Sequence, residues 1–143
     1  MGLPVGLCLT LARPADQVAG TQYRDDSSIG DADGLLRRIP LQPAQIIWDS
    51  NRDCWRPTSA AFCDHPDGTP MSVSIRSILQ RLNLKITLPL SGYETSHALV
   101  VFPVSVARSN GQGVTPQPLN KDPAHAIVFG HKTKKIKRAL SCS

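Results

Sequence analysis

Residues 65 to 83 read HPDGTPMSVSIRSILQRLN, and the periodicity changes partway along. His65-Pro66-Asp67-Gly68-Thr69 is a turn signal, because proline presets one backbone dihedral and glycine supplies the positive φ that a tight reversal often needs. Met71, Val73 and Ile75 then alternate with Ser72 and Ser74, the period of a strand with one buried face. From Ile75 onward the apolar positions become Ile78, Leu79 and Leu82, at i+3, i+4 and i+7, while Arg76, Gln80 and Arg81 point elsewhere. This predicts an amphipathic helix over Ile75 to Asn83. A strand running into a helix behind a reversal points to an α+β domain.

Twelve prolines limit where other helices can lie, since a proline inside a helix removes a hydrogen bond and clashes with the preceding turn. The second helix expected is Lys132 to Leu140, where Ile136, Ala139 and Leu140 make a narrow apolar face. Leu35 to Ile39, Gln45 to Asp49 and Thr58 to Cys63 read as short strands, the last pairing across the turn with Met71 to Ile75. Leu84, Ile86 and Leu88 alternate with Lys85 and Thr87 as in a half-exposed strand. Ala98 to Phe102 and Ala126 to Phe129 are continuous apolar runs, the pattern of central strands covered on both faces. Gly111-Gln112-Gly113 reads as a flexible bend. The expected architecture is a small mixed or antiparallel sheet of about five or six short strands with two short helices.

At 143 residues the chain suits one domain, and 41% hydrophobic with 19% charged residues is the composition of a folded protein. No apolar run approaches the roughly 20 residues that span a bilayer. Leu3 to Ala12 is apolar, but no basic residue precedes Arg13 and Leu7 stands before Cys8, so it does not match a secretion signal. Residues 13 to 34 are polar and rich in turn formers, giving an expected unstructured leader over 1–34 and a single domain over 35–143. Four sparse cysteines (Cys8, Cys54, Cys63, Cys142) read as reduced thiols in a cytoplasmic protein. Cys54, Cys63 and His65 lack a Cys-x-x-Cys knuckle and a fourth ligand, so no metal and no cofactor is expected.

The formal net charge of +5 sits at one end. Lys132, Lys134, Lys135, Lys137 and Arg138 stand among the last thirteen residues without an acid, and the rest of the chain balances eleven Lys/Arg against eleven Asp/Glu. Lys134, Lys135, Lys137 and Arg138 are therefore candidate anion-binding residues, for a weak and salt-sensitive nucleic-acid contact. No aromatic lies in that tail, so stacking on bases falls to Trp48, Trp55 or Phe129.

Arg56-Pro57-Thr58-Ser59-Ala60-Ala61-Phe62, Met71-Ser72-Val73, Pro123-Ala124-His125-Ala126 and Gly130-His131-Lys132 together resemble a pattern in small uncharacterised bacterial proteins. The resemblance spans roughly Leu35 to Leu140, implies one compact domain and supplies no chemistry. His131 interrupts it, standing where the pattern has Gly followed directly by Lys or Arg.

The nucleophile elbow, the phosphate loop, the dinucleotide fingerprint and the His-Glu-x-x-His zinc motif are all missing. Glu94 is the single glutamate. A candidate polar pocket can be drawn from Arg38, Arg56, Ser59, His125 and Lys132, with His125 a candidate base or ligand. Arg38 on the first strand, with Thr58, Ser59 and Phe62 later, has a faint likeness to ADP-ribosyltransferase dinucleotide sites. The reading preferred from sequence is a small soluble binding or accessory module acting with a protein partner. A nucleotide-binding or ADP-ribosyltransferase-like enzyme is one alternative, and nucleic-acid binding through the basic helix is the other.

Overall fold

The change of period at Ile75 is a boundary between two elements in the computed structural model, which describes residues 23–142. In chain order the strands are β1 (Gly34–Pro40), β2 (Ile46–Asp49), β3 (Cys54–Pro57), β4 (Met71–Ile75), β5 (His97–Pro103), β6 (Gly113–Pro116) and β7 (His125–Phe129). The helices are α1 (Arg76–Arg81), α2 (Val104–Ser109) and α3 (Lys134–Ser141), with single 3-10 turns at Ser59–Ala61 and Leu88–Leu90. Five strands form one sheet in the order β5-β1-β4-β7-β6, antiparallel at every pair. β2 and β3 pair only with each other, as a separate ribbon.

Strand alternation divides the sheet into two buried faces. Leu35 and Ile39 of β1, Met71, Val73 and Ile75 of β4, and Ala126 and Val128 of β7 enter the larger core with Phe62, Phe102, Val104, Ala107 and Leu140. Phe62 and Phe102 meet edge to face there, with ring centroids 5.5 Å apart. On the opposite face Leu36, Leu79 and Ala124 form a smaller core flanked by Ile78, Leu84, Ile86 and Leu88. The helix α1 therefore covers one side while α2 and α3 cover the other.

The helix α1 stops at Arg81, short of the Asn83 expected. Asn83 takes φ +60°, its N–H donates to Gln80 O at 3.1 Å, and Leu84 N–H donates to Leu79 O at 2.9 Å, a paired closure that satisfies the last carbonyls. The turn at 65–69 forms as read: Gly68 has φ +91° and Asp67 Oδ1 accepts the Thr69 N–H at 2.9 Å. The terminal helix begins at Lys134, with Thr133 Oγ1 accepting the Ile136 N–H at 3.2 Å.

Four expectations are corrected. Leu84 to Leu88 is not a strand; its apolar side chains turn into the smaller core from a loop ending in the Leu88–Leu90 turn, with no ladder beside it. Thr58 to Cys63 is not a strand either, and does not pair with β4. Its carbonyls at Ala61 and Cys63 are taken by the Arg37 guanidinium, at 3.1 and 3.4 Å, while the 3-10 turn delivers Ala61 and Phe62 to the core. Ala98 to Phe102 lies in β5, which is an edge strand and not a central one. The domain's contacts also begin before Leu35, since Ile29 is buried and Asp26 N–H donates to Val114 O at 2.8 Å. The apolar stretch at residues 3–12, Cys8 and the rest of the expected leader through residue 22 lie outside the described residues. β3, α2 and β6 are elements the sequence reading did not include.

Candidate functional site

The ribbon of β2 and β3 is built around a turn whose composition, Asp49-Ser50-Asn51-Arg52-Asp53, suits a reversal. Asp49 Oδ1 accepts the N–H groups of Asn51 and Arg52 at 3.0 and 3.3 Å, and Asp53 adopts φ +54°. The other carboxylate oxygen of Asp49 lies 3.1 Å from Arg56 Nε on the returning strand. One aspartate thus caps the turn and ties the two strands. At the base, Thr58 N–H donates to Gln45 O at 2.9 Å and the Thr58 hydroxyl to Ala44 O, clamping the ends of the ribbon together.

Directly opposite one another on this ribbon are Trp48 and Trp55. Their rings meet edge to face with centroids 5.4 Å apart, yet Trp48 is 48% exposed and Trp55 62%. These are the two tryptophans of the chain. Among the described residues the ribbon makes only marginal contact with other strands and helices, so its aromatic pair is presented to solvent instead of being folded onto the sheet. Arg52 and Arg56 lie against Asp49, and Arg56, opposite Ile47, shares the other face of the ribbon with it. Large amphipathic rings left exposed are a residue type that anchors protein interfaces.

The five residues grouped as a candidate polar pocket do not share a hydrogen bond or ion pair with one another among the described residues. Arg38 lies over the Tyr93 ring, 3.7 Å from its centroid, and donates to Pro89 O at 3.0 Å. Arg56 is on the ribbon. Ser59 opens the 3-10 turn. His125 Nδ1 is 2.8 Å from Gln117 O, which makes Nδ1 the protonated nitrogen and the histidine a support for a strand end. His97 does not meet His125, because β1 and β4 separate their strands. Among the described residues no three His, Cys, Asp or Glu side chains gather as metal ligands; Cys54 belongs to the ribbon, while Cys63 and His65 flank Asp64.

Lys132 leads instead to a polar cluster at the end of β4 and β7. Its Nζ lies 2.6 Å from Asp64 Oδ1 and donates to Val128 O at 2.8 Å and Gly130 O at 3.4 Å, and only 3% of its side chain is exposed. Burial holds its pKa below the ordinary lysine value, against the pull of Asp64. Arg37 stands nearby, donating to Ser72 O at 2.9 Å as well as to the 61–63 segment, and burial lowers its pKa too. Exposed Cys63 and the His65 to Ser72 contact of 3.2 Å border the cluster. The donors here are spent on backbone carbonyls and the Asp64 carboxylate, so the cluster fastens the 58–64 segment to the sheet. Sequence reading missed Arg37 and Asp64 because their partners lie far along the chain: carbonyls of residues 61 to 72 for Arg37, and the Lys132 ammonium for Asp64.

On α3, Lys134, Lys135 and Arg138 are exposed and Lys137 is half-buried, while Leu140 is buried in the larger core. The helix is docked and its cations face outward. Phe129 is buried, packing against Tyr23, and offers no surface for stacking. No protein-family model, curated protein or solved structure matches the chain.

Proposed function

We propose that the chain is a small binding module that docks a protein partner through the β2–β3 ribbon, with Trp48 and Trp55 as anchors. The observation that carries the reading is the paired exposure of the chain's two tryptophans on a ribbon braced by Asp49. Burying such rings contributes about 25 cal/mol for each Å² removed from water, and a partner supplies that burial where the fold does not. The test starts with wild-type and W48A/W55A proteins as baits. A captured chain is identified, purified and titrated back while tryptophan emission is followed. Emission shifting to the blue on binding, with at least tenfold weaker binding by W48A/W55A, supports the reading. Equal binding by the two proteins overturns it.

One observation favours a second reading. Lys134, Lys135 and Arg138 are exposed on one short helix with no acid in its first turn, a surface suited to phosphates. Titration with single-stranded and duplex oligonucleotides at low salt decides it: binding that weakens with salt and with K134E/K135E supports nucleic-acid contact, and no binding removes it.

A further inference from the structure

The edge strand β5 reads HALVVFP and carries no Lys, Arg, Asp or Glu. Natural edge strands are usually guarded by charge, proline, bulges or short length. This one spans seven residues, and its single proline is the last of them.

The ladder with β1 shows which backbone groups face outward. Beyond one end Leu41 N–H donates to Ser96 O, and beyond the other Val104 N–H donates to Asp33 O, each at 2.9 Å and in register with the Leu35 to Phe102 pair. Because hydrogen-bonded and non-bonded pairs alternate in an antiparallel ladder, Ala98, Val100 and Phe102 face β1, and His97, Leu99 and Val101 face away. The His97 N–H is taken by Tyr93 O at 3.0 Å. Among the described residues no acceptor meets the N–H of Leu99 or Val101, and Val101 is 49% exposed. Beside this edge lies an open cleft of about 360 Å³, whose lining includes Val101, Asp33, Arg76 and Gln80.

We propose that β5 is a homodimerisation edge, joining antiparallel to β5 of a second copy about a twofold axis at Val100. That register sets Leu99 opposite the second copy's Val101, and each residue both donates to and accepts from its counterpart. Sliding the axis to Leu99 leaves the Val101 carbonyl facing the occupied His97 N–H. Sliding it to Val101 leaves the Leu99 carbonyl facing Pro103, which has no N–H. Only the axis at Val100 satisfies the donors and the carbonyls of both residues. It also lays the second copy's Leu99 beside Val101 at the rim of the cleft, so apolar surface is covered along with the backbone. The two sheets become one continuous sheet, with no charged residue in either of the strands that meet.

Sedimentation of the full chain across a range of concentrations, with amide hydrogen exchange, tests the proposal. Wild type is expected to reach twice the 15.5 kDa chain mass, with the Leu99 and Val101 amides protected. Val101→Pro removes an outward N–H that β1 does not use, so its circular dichroism is unchanged while the dimer is lost. Val101→Lys, which keeps the N–H and adds a charge, is expected to weaken the dimer at least tenfold. A wild-type monomer at every concentration overturns the proposal, whether its Val101 amide exchanges freely or is protected by another part of the same chain. So does a dimer that survives Val101→Pro in folded protein.

Discussion

Lys132 Nζ and Asp64 Oδ1 are 2.6 Å apart, and they join the start of the C-terminal segment to the turn that precedes β4. The pair is asymmetric: 3% of the lysine side chain is exposed against 34% of the aspartate. Removing either partner strands the other, and a stranded charge is more costly the less water reaches it. Asp64→Ala, which leaves a buried ammonium on two carbonyls and frees the Met71 N–H, is expected to cost about 3 kcal/mol. Lys132→Met keeps the apolar stem and leaves a carboxylate that water can reach, at about 1 kcal/mol. Urea denaturation of both variants checks the order, and an equal or reversed order contradicts it.

The same lysine gives a pH dependence. Its folded pKa lies below the ordinary 10.5 because burial disfavours the charged form, while the unfolded chain keeps the ordinary value. Between the two values the unfolded state binds more protons, so the lysine's contribution to stability rises with pH. That contribution is complete above the unfolded value and is lost as pH falls through the folded one. The stability difference between wild type and Lys132→Met should therefore shift in favour of wild type as pH approaches 10.5 from below. Denaturation of both proteins over that range measures it; a flat difference shows that the lysine's environment is the same in both states.

Much of the fold is legible in the local sequence. The turn at Gly68, the period of two in β4 and the i, i+3, i+4 spacing of α1 depend on neighbours, and each forms within residues 65 to 83, α1 ending two residues early. What escapes depends on distant partners. Ala98 to Phe102 looks central because its side chains are apolar on both faces, yet whether a third strand lies beside it is decided by sheet order. Thr58 to Cys63 has strand composition, but the Arg37 guanidinium takes its carbonyls before a strand can. Lys132 belongs by composition to the basic tail, and its burial against the Asp64 carboxylate separates it from Lys134 and Lys135. Trp48 and Trp55 pair because Cys54–Pro57 returns as a strand after Asp49 to Asp53, and a four-residue run holding Arg56 and Pro57 carries no local period that marks it as one.

Gly113 opens β6 opposite Phe129, and a Cβ there would meet the Phe129 ring at 2.3 Å. The ring is buried against Tyr23, so it has little room to withdraw. Gly113→Ala is expected to cost about 2 kcal/mol through overpacking. Adding Phe129→Leu should recover part of that loss, since the branched chain leaves the space the methyl needs. Melting temperatures of the single and double variants test the coupling, and additive effects would show that the ring is not the obstacle.

Arg108 on α2 gathers the segment before β1, donating to Asp25 and Asp31 carboxylates and to the carbonyls of Asp26 and Ile29, at 2.6 to 3.3 Å. The two acids raise its pKa, but Asp25 and Asp31 are 40% and 70% exposed, so the ion pairs themselves are weak. The carbonyls are the stronger reason for the contact, because they leave water beside buried Ile29 and need a donor. Arg108→Ala is accordingly expected to speed exchange of the Asp26 amide by tenfold or more while the amides of β4 and β7 keep their protection. Arg108→Lys should restore little, since one ammonium cannot span the positions that the planar guanidinium reaches. High salt, which screens ion pairs, should leave the wild-type Asp26 amide protected. Loss of that protection in salt would assign the contact to the carboxylates and not to the carbonyls.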